Sequence, residues 1–280
     1  MGLFKTVKDG FRGKPDFSSI HNYIYQIDEH LLTLSYPHNI NNGVNYHNQV
    51  KTNDIQWLDK IYRHETALKL GYIQYCFQTK IIVPIRPLNS PGHVFVYLNL
   101  KKASIDVECI SSLTSYLEKN YFEYYHDPVV CNKTHRGRHT DIMNEAHDFA
   151  IRCWGENPES QEDIREKQEF LLGRFLRAFP PIKCEEVKIR TNTFAKYKEG
   201  NLDLTHKCSR FYNLPLKGDY YISIEFHYEI EQSMASRKFV EWVRTADEHF
   251  ERSILETVEL SRVVDSIVDI PADKIESRDS

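Results

Sequence analysis

Residues 87–101, PLNSPGHVFVYLNLK, and residues 215–226, PLKGDYYISIEF, decide how the chain is read. Each opens on Pro-Leu, turns at a glycine (Gly92 or Gly218) and enters a run in which apolar residues recur at every second position. Proline and glycine punctuate turns, and a period of two marks a strand with one face buried. Tyr72–Ile85 and His206–Asn213 precede these runs as further strand-like stretches. Val107–Tyr125 and Ser236–Val264 follow them with helical spacing. Alternating strands joined by short turns predict largely antiparallel sheets. The expected fold is therefore α+β, with two related lobes, each a mostly antiparallel sheet flanked by helices. Residues 1–125 form the first lobe, 1–20 being a loose arm; 126–182 form a helical connector; 183–280 form the second lobe, with a long C-terminal helix.

Local signals fill in the rest. Tyr25–Tyr36 reads as one strand ending at Pro37, and the Asn- and Gly-rich residues 38–48 read as a loop. Ile55, Leu58, Ile61, Tyr62 and Leu68 recur at three- and four-residue spacing. With Asn53 as cap and Gly71 beyond, they predict a helix over Asp54–Leu70. Asp141–Trp154 and Gln161–Phe179 read as helices, separated by Asn157-Pro158 and stopped by Pro180-Pro181. Glu185–Phe194 and Asp219–Ile230 read as strands, and the tail from residue 270 as frayed.

Composition narrows the function classes. Aromatics make up 12% of the chain, with 17 Tyr and 15 Phe, which is foreign to disordered sequences. A net charge of −4 argues against a general nucleic-acid binder, which needs a cationic surplus against phosphates. No apolar run reaches the roughly 18 residues of a membrane span, and the N-terminus lacks the apolar core of a secretory signal. The six cysteines, at 76, 109, 131, 153, 184 and 208, are widely spaced with no CxxC pair, as expected of reduced thiols in the cytoplasm. Residues 1–6, MGLFKT, fit the N-myristoylation pattern through Gly2 and Thr6, with Lys5, Lys8, Arg12 and Lys14 nearby.

Chemistry-bearing motifs are sparse. The sequence has no P-loop, GxGxxG, GxSxG, HExxH or EF-hand loop, so no catalytic residue, metal or cofactor is assigned. The densest polar cluster is THRGRHTD, residues 134–141. His135, Arg136, Arg138 and His139 around a glycine at a helix entry suit an anion, because free N–H groups and guanidinium forks converge there. Adding Glu145 and His147 gives an alternative enzyme site over 135–147, although His139 and His147 are too far apart to share a helical turn. From Glu241 to Ser280, eleven acids face five bases. Glu241, Asp247, Glu248, Glu251, Glu256 and Glu259 are the candidate contacts of a basic protein partner.

Two segments carry a resemblance. LLTLSYPHNI (31–40) resembles the opening of a Mog1/PsbP-like domain, and ADEHFERSILETVEL (246–260) is similar to its closing helix. Some bacterial type VI secretion immunity proteins look alike in architecture. The resemblance implies a small antiparallel sheet flanked by helices that serves in binding, without chemistry of its own. The functional expectation is a cytoplasmic immunity or antidote protein that binds a cognate toxin, such as a nuclease. The alternatives are an adaptor or chaperone for a secreted effector, or an enzyme at 135–147. Neither nucleic acid nor membrane is expected as a partner, and the oligomeric state is left open.

Overall fold

The computed structural model describes residues 11–38, 44–54, 58–60, 65–79, 91–127, 136–231 and 237–263. The strands are β1 Phe11–Arg12, β2 Asp16–Ile27, β3 His30–His38, β4 Val44–Asn45, β5 Gln49–Val50, β6 Leu58–Lys60, β7 Glu65–Thr79, β8 Gly92–Lys102, β9 Glu185–Ile189, β10 Asn192–Asn201, β11 Lys207–Pro215, β12 Tyr220–Ile230 and β13 Glu259–Arg262. The helices are α1 Ile110–His126, α2 Arg138–Trp154, α3 Gln161–Arg177, α4 Leu202–Thr205, α5 Arg237–Arg244 and α6 Arg252–Leu255; a π-helical turn at Asp247–Glu251 links the last two.

The α+β expectation holds, with two sheets of mostly antiparallel strands. They do not divide as one sheet per half. The large sheet runs β1-β7-β8-β12-β11-β10-β9, with β4 and β6 also paired to β7. Its centre is the ladder between β8 and β12, which joins the two quoted runs from Ile230↔Gly92 to Tyr220↔Lys102. The small sheet, β13-β3-β2-β5, combines strands from both ends of the described chain.

The alternation within the strands gives the large sheet two different faces. One carries Tyr75 and Phe77 of β7, Val94–Leu100 of β8 at even positions, and Ile222–Ile230 of β12 at even positions. It packs against Tyr25, Leu32 and Leu34 of the small sheet and against Phe239, Val243, Phe250 and Ile254 of the C-terminal segment. The other face carries Ala195, Tyr197, Phe211 and Tyr221, and is covered at one end by Leu113, Tyr116 and Leu117 of α1. The helices that follow β8 and β12 thus lie on opposite faces. A twofold through the β8–β12 ladder would put both on one face, so it does not relate the two halves.

Several local expectations are corrected. Tyr25–Tyr36 is not one strand: Asp28 adopts φ 48° and turns β2 into β3. Its carboxylate takes the Thr52 backbone N–H at 2.9 Å and the Thr52 hydroxyl at 2.6 Å, which fixes the turn. Residues 16–20 of the expected loose arm belong to β2. Of the predicted helix over 54–70, Asp54 ends a 3-10 turn, Thr52–Asp54, and the other described residues are strand. The register of β7 on β8 slips between Lys69 and Gly71, so Leu68 and Ile73 face the same core across a bulge. Gly71 is required there, because a Cβ would lie 2.5 Å from the Tyr25 hydroxyl. The strand expected over 185–194 is a hairpin turning at Arg190, φ 53°. The long C-terminal helix is broken: after α6 the chain extends and β13 pairs with β3. The myristoylation pattern and the frayed tail fall outside the described residues.

Under this segment sits a buried charge. Glu251 is fully buried and receives Arg210 Nη1 at 2.7 Å, the Tyr212 hydroxyl at 2.7 Å and the Tyr228 hydroxyl at 2.5 Å. Burial, and then the adjacent carboxylate, keep both phenols protonated. Removing one partner of a buried pair strands the other charge. Glu251→Ala should therefore cost about 3–5 kcal/mol in urea unfolding, and Glu251→Gln, which retains an acceptor, should cost less. An unchanged unfolding midpoint in Glu251→Ala would mean that Asp247, 3.9 Å from Arg210, replaces the lost partner.

Candidate functional site

The acidic C-terminal residues do not assemble into one open surface. Glu251 lies in the core and makes no surface contact. Glu241 is held by Arg237 at 3.1 Å, Glu256 by Arg252 at 2.9 Å and Asp247 by Lys196 at 3.4 Å. Glu248 and Glu259 are exposed, on the π-helical turn and on the edge strand β13.

The basic cluster is also dispersed. His135 lies outside the described residues. Arg136 is bonded to Asp127 at 2.5 Å, and Arg138 is exposed at the start of α2. His139 is buried, bonded to the Ala178 carbonyl. Glu145 and His147 are exposed further along α2. Among the described residues, no group of three or more His, Cys, Asp or Glu is placed to hold a metal ion. The described cysteines are free thiols. No helix among the described residues is long and apolar enough to cross a membrane.

What the fold builds around His139 is an aromatic strip. Gly137, at φ 69°, donates its N–H to the Tyr124 carbonyl at 2.7 Å and brings the start of α2 onto the end of α1. Thr140 fastens the junction through its hydroxyl on the His126 carbonyl, 2.9 Å away. The double proline after α3 turns the chain back, and Phe179 stacks on Tyr125 at 4.5 Å. The rings of Phe122, His126, His139 and Phe175 then follow one another at centroid distances of 4.7, 4.0 and 5.4 Å. Phe122 is 53% exposed, Phe175 36%, and Leu172, one turn before Phe175, 58%.

The arm formed by α2 and α3 is rigidly closed at its far end. Ser160 caps α3 by accepting the Asp163 N–H at 3.0 Å, and its hydroxyl donates back to the Asp163 carboxylate at 2.7 Å. Lys167 donates to the carbonyls of Gly155 and Glu156 at 2.8 and 2.9 Å, closing the end of α2. Trp154 donates to Glu166 at 3.2 Å and packs on Phe170 at 5.6 Å. No residue of α3 is fully buried, and Phe149 of α2 is 43% exposed. Over residues 138–177 nine acids face six bases. Six of the acids lie at 156, 159, 162, 163, 166 and 169, around the loop and the start of α3. The sequence located these helices. It did not show their exposure, because the three-residue spacing of Leu172 and Phe175 equally fits a helix covered on that side. No family model, curated protein or solved structure matches the chain.

Burial, and then the neighbouring imidazole of His139, lower the pKa of His126 to about 4. The strip is therefore uncharged at His126 at neutral pH. As pH falls from about 6.5 towards 4, the unfolded chain takes up a proton that the folded chain refuses. Stability should fall through that window and level off below it. His126→Gln, which keeps a donor for the Phe179 carbonyl, should flatten this acid limb in thermal melts between pH 4 and 7. An unaltered limb would place the acid sensitivity in another group.

Proposed function

We propose that the chain acts by binding a protein partner through the strip at the foot of the α2–α3 arm, as an antidote that covers a toxin. The observation that carries this reading is the exposure of Phe122 and Phe175 at the two ends of the His126–His139 pair, with Leu172 exposed one turn before Phe175. Large apolar side chains clustered in the open, rimmed by charge, mark interaction surfaces. The arm is pre-organised by its cap, its Lys167 closure and its junction with α1, so little ordering entropy remains to oppose association. A partner with a basic rim, such as the substrate groove of a nuclease, would meet the arm's carboxylates only by reaching from the foot, where Arg138, Arg174 and Arg177 lie, along α3 to its start. This keeps the basic-partner expectation but moves the contact from the C-terminal segment to α2 and α3. The type VI immunity and cytoplasmic assignments belong to the same proposal.

The test is co-expression with the product of the neighbouring gene. An antidote restores growth and binds the toxin, whereas an adaptor promotes its loading without inhibition. Leu172→Asp and Phe122→Asp should each weaken binding by tenfold or more while leaving the melting temperature within a few degrees, since both side chains already face water. Full protection by both variants would move the interface elsewhere. Toxicity with no protection by the parent chain would end the antidote reading.

A further inference from the structure

Three polar side chains form a chain across the centre of the large sheet. Ser209 of β11 and His227 of β12 face each other directly in the ladder. The Ser209 hydroxyl lies 2.8 Å from His227 Nδ1. His227 Nε2 lies 3.0 Å from Oε2 of Glu225, two residues back on the same strand and the same face. A carboxylate only accepts, so the proton sits on Nε2 and Nδ1 receives the serine O–H. The other oxygen of Glu225, Oε1, takes Asn99 Nδ2 at 2.8 Å and Lys101 Nζ at 2.9 Å. The His227 ring is bracketed edge-to-face by Tyr97 at 5.2 Å and Phe211 at 5.5 Å, which fixes its plane.

The order is hydroxyl, base and orienting acid, the arrangement by which nucleophilic serines are activated. Core stability does not call for it. A buried Lys–Glu pair is costly to desolvate, and an apolar pair of similar size serves a core as well or better. Lys101 and Glu225 are nevertheless buried at the middle of the sheet, while Ser209 and His227 are only partly covered. Beside them the same face carries a half-buried aromatic shelf. Phe95, opposite His227 in the ladder, lies 6.4 Å from Tyr97 and 6.3 Å from Tyr72, with both neighbours near parallel to it.

We propose that Ser209 is an activated nucleophile that accepts an acyl group from a small ester whose apolar part rests on the Tyr72–Phe95–Tyr97 shelf. In the first step the Ser209 oxygen bonds to the carbonyl carbon as its proton passes to His227 Nδ1. The C–O bond to the alcohol breaks, and the departing oxygen takes that proton. Water then attacks the acyl-serine by the same route, releasing the carboxylic acid and restoring the hydroxyl. Glu225 is a positioning residue, held in place by Lys101 and Asn99. This activity does not depend on the protein-binding reading and uses none of its residues.

The probe is an alkyl fluorophosphonate, which transfers its phosphonyl group to an activated serine with loss of fluoride. Incubated with the full chain, it should give one adduct by intact mass, mapped to Ser209 by peptide mass spectrometry. Ser209→Ala should give none, and His227→Phe, which keeps a ring between Tyr97 and Phe211, should label at least 100-fold more slowly. Unlabelled parent protein whose melting curve shows it folded overturns the proposal, whatever the variants do. An adduct on another residue, or His227→Phe labelling at the parent rate, overturns it as well.

Discussion

The antiparallel ladder between β8 and β12 is the interaction on which the rest of the molecule depends. It pairs eleven consecutive residues, from Tyr220↔Lys102 to Ile230↔Gly92, across more than a hundred positions of sequence. Every side chain of either strand is thereby assigned to one face or the other, since a one-residue slip would exchange them all. Even positions meet the small sheet and the C-terminal segment. Odd positions meet α1 at one end and form the polar and aromatic face at the other. Gly92 marks how tightly this register is held. A Cβ there would fall 2.2 Å from the Glu229 carbonyl and 2.4 Å from the Phe239 ring.

From that register the two proposed surfaces follow by different routes. The relay of Ser209, His227 and Glu225 exists because β11 and β12 are paired so that 209 opposes 227. Its residues are unremarkable neighbours in sequence and acquire meaning only across the ladder. The aromatic strip at the foot of the arm depends on α1, which the second face of the sheet holds in place. No residue of α3 is fully buried, and Phe149, Ile151, Leu172 and Phe175 of the arm remain exposed. Surface of that kind is tolerated in a folded chain where a partner covers it.

The corrections share one cause. Period and propensity report the local chain, whereas the bulge at Lys69–Gly71, the turns at Asp28 and Arg190 and the break after α6 answer to distant contacts. Asp28 turns because Thr52 binds its carboxylate; the segment after α6 extends because β3 offers a free edge. Glu251 is the clearest case. In sequence it is one carboxylate of an acidic segment, but Arg210, Tyr212 and Tyr228 reach it from strands far upstream and make it part of the core.

The sequence by itself determined the class of fold, the strands at 94–101, 206–213 and 219–230, and the helices at 107–125, 141–154 and 161–179. In those segments hydrophobic period, Pro-Gly punctuation and length all agree. It also placed a helix entry around Gly137, because glycine is a local signal; that glycine is itself the N-cap, with no side-chain cap bond. Only the tertiary structure decided that the two strand pairs share one sheet, that the following helices cover opposite faces, that Glu251 and His139 are buried, and that Phe122, Leu172 and Phe175 are exposed. The physical reason is that burial belongs to the packing between elements. An apolar side chain has the same identity whether a neighbour covers it or water does.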